Sequence, residues 1–188
     1  MKIISDSIRE ICARLEGQYN SSSLQVQLPD DLAQAVIDWG KKNIPDDVLH
    51  DNAKETKGRE DDIHVTLLYG LPNPGPDEVE GFLKDIGPFK VRLGLVTLFK
   101  DKPEYDVIKI DVESSDLYQL HYKIRDSVEV NNSYPSYSPH CTIGYVKKDS
   151  CEGLMGSEKF KGKTFEVDAI VFSSSNGDKI PITLKRGV

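Results

Sequence analysis

The chain has 188 residues, with 24 Lys and Arg set against 31 Asp and Glu for a net charge of −7. That length suits one domain with a full hydrophobic core and is short for two, and 38% hydrophobic residues exclude a disordered chain. The acidic balance argues against a protein that tracks a long phosphate backbone.

In chain order, Ile3, Ile4, Ile8, Ile11, Cys12 and Leu15 recur at helical spacing, so an amphipathic helix is expected over residues 1–17, ending near Gly17. Charges break this stretch, so it is neither a signal peptide nor a membrane span. Leu24, Val26 and Leu28 alternate with polar residues as in a short strand. Pro29 and Asp30 open a second helix that carries Leu32, Ala35, Val36 and Trp39 on one face. Residues 46–62, rich in Asp, Lys, Glu and Asn, read as an exposed loop. IHVTLLYG is then a buried strand, DEVEGFLKDI a helix, and FKVRLGLVTLF and YDVIKIDVE are strands. A helix over 115–128, the loop EVNNSYPSYSP, the strand HCTIGYV and two late strands, TFEVDAIVFSS and KIPITL joined at Asn176-Gly177, complete the order. The mixture predicts an α+β domain with a mostly antiparallel sheet, occupying residues 1–188 as one unit. Cys12, Cys141 and Cys151 are odd in number and lack CxxC spacing, against both a disulfide framework and a zinc site; Cys12 and Cys141 are assigned to the core. Reduced cysteines fit the cytosol. The lysines at 100 and 102, 147 and 148, and 159, 161 and 163 read as solvated loop charges.

HVTLLYG at 64–70 and HCTIGYV at 140–146 share the pattern His-x-Thr-apolar-x-Tyr, each on a predicted strand. Given four histidines and six threonines, two His-x-Thr pairs arise by chance about once in 200 such chains. Strand alternation turns His64 with Thr66, and His140 with Thr142, to one face, and turns Val65, Leu67, Tyr69, Cys141, Ile143 and Tyr145 to the core. A pair of imidazoles near pH 7 can hold one ring neutral and one protonated, as general base and general acid. The threonine hydroxyls would donate to non-bridging oxygens of a phosphate held between the strands. Two histidines without Cys, Asp or Glu at ligand spacing make a poor zinc set, so neither metal nor other cofactor is expected. His50 and His121 lack this context and read as structural or solvent-exposed.

At these two tetrads the sequence resembles the 2H phosphoesterase superfamily, which includes the bacterial RNA 2′,3′-cyclic phosphodiesterases once called 2′-5′ RNA ligases. The resemblance implies a bilobal fold, two pseudo-symmetric halves of antiparallel sheet with outer helices around a cleft floored by His64, Thr66, His140 and Thr142. YNSSSLQVQLP, IHVTLLYGL and VFSSSNGDKIPITL are similar to the phage anti-CBASS branch, which cleaves the cyclic oligonucleotide signals of bacterial antiviral defence. That branch implies cleavage of a 3′-5′ phosphodiester by 2′-hydroxyl attack, in the host cytoplasm if the chain is phage-encoded. A phosphodiesterase acting on RNA 2′,3′-cyclic phosphate ends, and a 2H module that binds nucleotide without cutting it, are the alternatives. The expected partner is a nucleotide, cyclic oligonucleotide or short RNA end, with no membrane and no obligate protein. Tyr134 and Tyr137, on the Pro-containing loop before the second tetrad, are candidates for stacking on a base, and Tyr19 a lesser one. Phe99 reads first as core.

Overall fold

The computed structural model of the protein describes residues 21–52, 56–72, 76–128, 130 and 136–186. The expected N-terminal helix over 1–17, with Cys12, lies outside the described residues, as do Tyr19 and Tyr134. The elements run β1 (Ser22–Gln27), α1 (Asp30–Asn43), β2 (Asp51–Asn52), β3 (Thr56–Lys57), β4 (His64–Leu71), α2 (Pro76–Leu83), β5 (Phe89–Phe99) and β6 (Tyr105–Glu113). They continue with α3 (Ser115–Arg125), β7 (His140–Lys147), β8 (Thr164–Val167), β9 (Ala169–Ser173) and β10 (Lys179–Thr183).

Eight strands form one sheet in the order β10-β9-β1-β4-β7-β6-β5-β8, antiparallel at every pairing. The two tetrad strands are therefore central neighbours, and each gathers three further strands into its half. One face is the core: Leu24, Val26, Val65, Leu67, Ile108, Ile110, Cys141 and Ile143 are all buried on it. TFEVDAIVFSS does not form the one strand expected of it. The buried residues are Phe165 and Val167, then Ile170 and Phe172, so the alternation slips by one at Asp168. The chain breaks there, and β8 pairs with β5 in one half while β9 pairs with β1 in the other.

Strand–helix–strand units repeat as β1-α1-β4 and β6-α3-β7, and each helix crosses to the other half's central strand. Gly40 of α1 lies against Ile143 of β7 so closely that a Cβ would sit 2.9 Å from its Cγ2. The Ser114 side chain caps α3 by accepting from the Leu117 N–H at 3.4 Å. From α3, His121 reaches β4, its Nδ1 2.7 Å from the Leu67 carbonyl.

β4 and β7 meet only at Val65 and Cys141, then splay apart. Each freed backbone edge needs partners, since buried peptide groups are rarely left unpaired. Beyond the bridge, the β4 carbonyls of Leu67 and Thr66 accept from His121 and from the Tyr137 hydroxyl at 3.1 Å. The edge of β7 is met by residues 49–50 and 58–60: the N–H groups of His50, Glu60 and Tyr145 donate to Tyr145, Ile143 and Gly58 carbonyls at 2.9, 2.9 and 2.7 Å. Of the exposed loop expected over 46–62, Asp46, Asp47, Asp51 and Asp61 are exposed, whereas residues 49–50 and 58–60 pack along β7, Thr56 is buried, and Arg59 is hydrogen-bonded to the Ile44 carbonyl and ion-paired with Asp46 at 2.6 Å.

Candidate active site

The Val65–Cys141 bridge fixes what surrounds it. Both side chains are fully buried, so the residues on either side of them turn to the opposite face of the sheet. Antiparallel register extended one residue each way sets His64 across from Thr142 and Thr66 across from His140. The two imidazoles are then diagonal neighbours on one face, close enough for the charge of His64 to act on His140. All four tetrad side chains are half-buried.

Both rings are anchored in the same way. His64 Nδ1 lies 2.8 Å from the Asp62 carbonyl and His140 Nδ1 2.6 Å from the Ser138 carbonyl, each two residues upstream. A carbonyl oxygen only accepts, so Nδ1 carries a proton in each ring, and Nε2 is left to take or give a proton at a substrate. Beyond this the surroundings differ. The Asp62 carboxylate stands 3.5 Å from His64 Nδ1 and is ion-paired with Lys179 of β10. Hydrogen bonds to His64 and Lys179 outweigh partial burial and hold the Asp62 carboxyl far below the usual carboxylate range. Burial pushes His140 below the ordinary imidazole pKa, helped by the charges of Lys109 and His64 and opposed by the Ser138 carbonyl and Asp111.

Neighbouring strands complete the floor. On β1, Gln27 is in register with His64 and Gln25 with Thr66. Gln27 donates to Gln25 at 3.3 Å, and Gln25 to Ser23 at 3.1 Å. On β6, Asp111 is in register with His140 and Lys109 with Thr142. Phe99, expected in the core, instead sets its ring edge-on to His140 at 4.8 Å, because the Leu93/Val96 irregularity and the register of β5 with β6 bring it to the site face.

Tyr137 is placed at the seam. Its ring stacks on His121 with centroids 4.0 Å apart and an interplanar angle of 2°, Tyr118 approaches edge-on at 5.5 Å, and its hydroxyl is spent on the Thr66 carbonyl. Tyr137, a candidate for stacking on a base, thus has one ring face stacked on His121. Tyr69, expected in the core, is 38% exposed. His50 stacks on Tyr105 at 4.9 Å and pairs with Thr56 at 2.9 Å, away from the tetrads. Of the lysines read as loop charges, Lys100 pairs with Asp149 and Glu152, Lys148 with the buried Asp106, and Lys161 with Glu158. Among the described residues no three His, Cys, Asp or Glu side chains cluster to hold a metal, and no helix is long and apolar enough to cross a membrane.

Residues 48–179 match the 2′-5′ RNA ligase superfamily. No curated protein sequence matches the chain significantly. Among solved structures, E. coli LigT complexed with 3′-AMP is 14% identical with a TM-score of 0.63, over 89% of this chain and 97% of that one. TT0787 of Thermus thermophilus is 16% identical with a TM-score of 0.57, over 88% and 95%. Kluyveromyces marxianus Usb1 with uridine monophosphate is 12% identical with a TM-score of 0.57, over 88% and 99%. At such identities the likeness is one of fold.

Proposed function

The chain belongs to the 2′-5′ RNA ligase superfamily and is a 2H phosphoesterase, a phosphoric diester hydrolase; on that premise we propose that it cleaves the 3′-5′ phosphodiester bonds of a cyclic oligonucleotide second messenger, as a phage product acting in the host cytoplasm against bacterial signalling. The observation that carries the reaction is the matched pair of imidazoles, each with Nδ1 tied to the carbonyl two residues upstream. One Nε2 removes the proton of the ribose 2′-hydroxyl. The oxygen attacks the adjacent phosphorus in line, the other Nε2 protonates the departing 5′ oxygen, and the products are a 2′,3′-cyclic phosphate and a 5′-hydroxyl. Thr66 and Thr142 donate to the non-bridging oxygens, whose charge grows in the transition state. No metal enters this scheme. The acidic net charge favours a small anion over a polymeric one.

A second reading, hydrolysis of 2′,3′-cyclic phosphates at RNA ends, draws on the family itself and on LigT and Usb1 having been captured with 3′-AMP and uridine monophosphate. The same two histidines with exchanged roles would open the ring with water. Incubation in EDTA with cyclic di- and trinucleotides beside an RNA ending in a 2′,3′-cyclic phosphate separates the two. Turnover of the cyclic oligonucleotides is expected. Turnover of the RNA end alone transfers the assignment to the second reading, and binding without any turnover leaves a nucleotide-binding module.

A further inference from the structure

The two half-sites are built on one plan but carry different charges. β1 and β6 hold equivalent places, each the outer neighbour of a histidine strand. At matched register positions one half presents the neutral amides Gln27 and Gln25, and the other Asp111 and Lys109. Lys109 is 5% exposed. It is ion-paired with Asp111 and donates to Thr97 Oγ1 at 2.7 Å, while Thr97 donates to Asp111 at 2.9 Å. Its ammonium also lies 4.3 Å from the centroid of the Phe99 ring, whose edge meets His140. A buried cation is thus fixed beside the His140 half. In the His64 half the Asp62 carboxylate, itself ion-paired with Lys179, stands next to Nδ1, whereas Nδ1 of His140 meets a main-chain carbonyl.

We propose that Lys109, locked in place by Asp111 and Thr97, and Asp62 are positioning residues that break the symmetry of the histidine pair, making His140 the proton acceptor and His64 the proton donor in the first chemical step. This rests on the reaction proposed above. His140 takes the 2′-hydroxyl proton and becomes an imidazolium, the 2′ oxygen bonds to phosphorus as the P–O5′ bond breaks, and the leaving oxygen receives the proton from His64. The two rings end with their charges exchanged, and no outside reagent is consumed. The Asp62 carboxylate is the counter-charge of the imidazolium that begins the step at His64. An imidazolium at His140 would face the Lys109 ammonium, so before the step that ring is kept neutral, ready to accept.

The charged and titratable groups facing His140 are Lys109 and Asp111 from β6 and His64 from β4; Thr97 and Phe99 from β5 are neutral. The depressed pKa of His140, attributed first to burial and then partly to Lys109, agrees with the assignment.

Two measurements test it. In the first, the imidazole of His140 is titrated by NMR without substrate. Lys109→Gln should raise its midpoint, and Asp111→Asn should lower it, each by a shift of up to about one pH unit, while Lys109→Arg should leave it in place. Opposite shifts from the two halves of one ion pair cannot come from loosened packing, which moves both variants the same way. Shifts of one sign, or none, overturn the role of the pair. In the second, a substrate with sulfur in place of the bridging 5′ oxygen supplies a leaving group that needs little protonation. His64→Ala should recover most of its lost rate on this substrate and His140→Ala should not. Recovery by His140→Ala instead would reverse the assignment. A protein that turns over no diester but shows the opposed NMR shifts would refute the reaction proposed above while leaving the electrostatic device standing.

Discussion

At the scale of single residues, the proposed chemistry rests on hydrogen bonds that hold Nδ1 of His64 and of His140 and leave Nε2 of each ring for a substrate. Replacing either His64 or His140 by alanine removes a proton-transfer partner and should lower kcat/KM by about 10²–10⁴-fold. Thr66→Ala or Thr142→Ala removes one hydrogen bond to a charged phosphate and should lower it by about 10–100-fold, with serine restoring most of the rate. A Thr→Ala loss equal to that of His→Ala would contradict this division of labour. That these four side chains share a face was legible in the sequence because strand alternation is local: His-x-Thr on an apolar strand must present both side chains together. Lys109, Asp111, Asp62 and Phe99 were not legible, because register brings them from other strands or from the loop before β4. A trace of the ion pair was nonetheless present in VIKIDV, where Lys109 and Asp111 take alternate places on an otherwise apolar strand. Asp62, two residues before His64, left no comparable mark.

At the level of elements, the splayed seam between β4 and β7 frees two backbone edges, and both wedges that meet them are testable. Gly144 is needed for the close approach of residues 58–59, since a Cβ there would lie 3.0 Å from the Gly58 carbonyl oxygen and 3.3 Å from Arg59 Cα. Both neighbours are backbone and cannot swing aside, so Gly144→Ala should destabilise the fold by about 1–3 kcal/mol, read as a lower urea midpoint. On the other wedge, Tyr137→Phe keeps the stack on His121 but loses the hydrogen bond to Thr66, and should destabilise by about 1 kcal/mol. If Tyr137 instead binds substrate through its hydroxyl, KM will rise with stability unchanged. Neither wedge could be read from sequence, because residues 46–62 look polar and exposed until residues 50, 58 and 60 are seen to pair with the edge of β7. The same limit applies to TFEVDAIVFSS, where a one-residue slip of alternation at Asp168 separates strands that belong to opposite halves.

For the whole molecule, pH acts on stability through His121 and His140, and on activity through His140. His121 is buried against β4 with its pKa lowered chiefly by burial, so the folded protein holds it neutral while the unfolded chain protonates it near pH 6.5. Its contribution is present above that value and is lost as pH falls below it, and His140 adds in the same direction. Asp62 acts only lower, below the ordinary carboxylate pKa. Urea midpoints should therefore fall on acidification below about pH 6.5, and His121→Asn should flatten the first part of that fall. With His140 as base, the acid limb of kcat/KM should lie below the ordinary imidazole value, since a lowered pKa keeps the ring neutral further into acid. The general architecture, an antiparallel α+β sheet with paired histidine strands at its centre, was legible from periodicity and the repeated tetrad. The identity of the diester is not set by the fold, which LigT and Usb1 share at under 15% identity. The central claim is acid–base cleavage of a diester by the ribose's own hydroxyl, and product analysis by phosphorus NMR, with a cyclic dinucleotide and its 2′-deoxy analogue in EDTA, meets it most directly. The ribose substrate should yield a 2′,3′-cyclic phosphate with a free 5′-hydroxyl while the deoxy analogue stays intact; cleavage of the deoxy analogue at a comparable rate, or turnover abolished by EDTA, would contradict it.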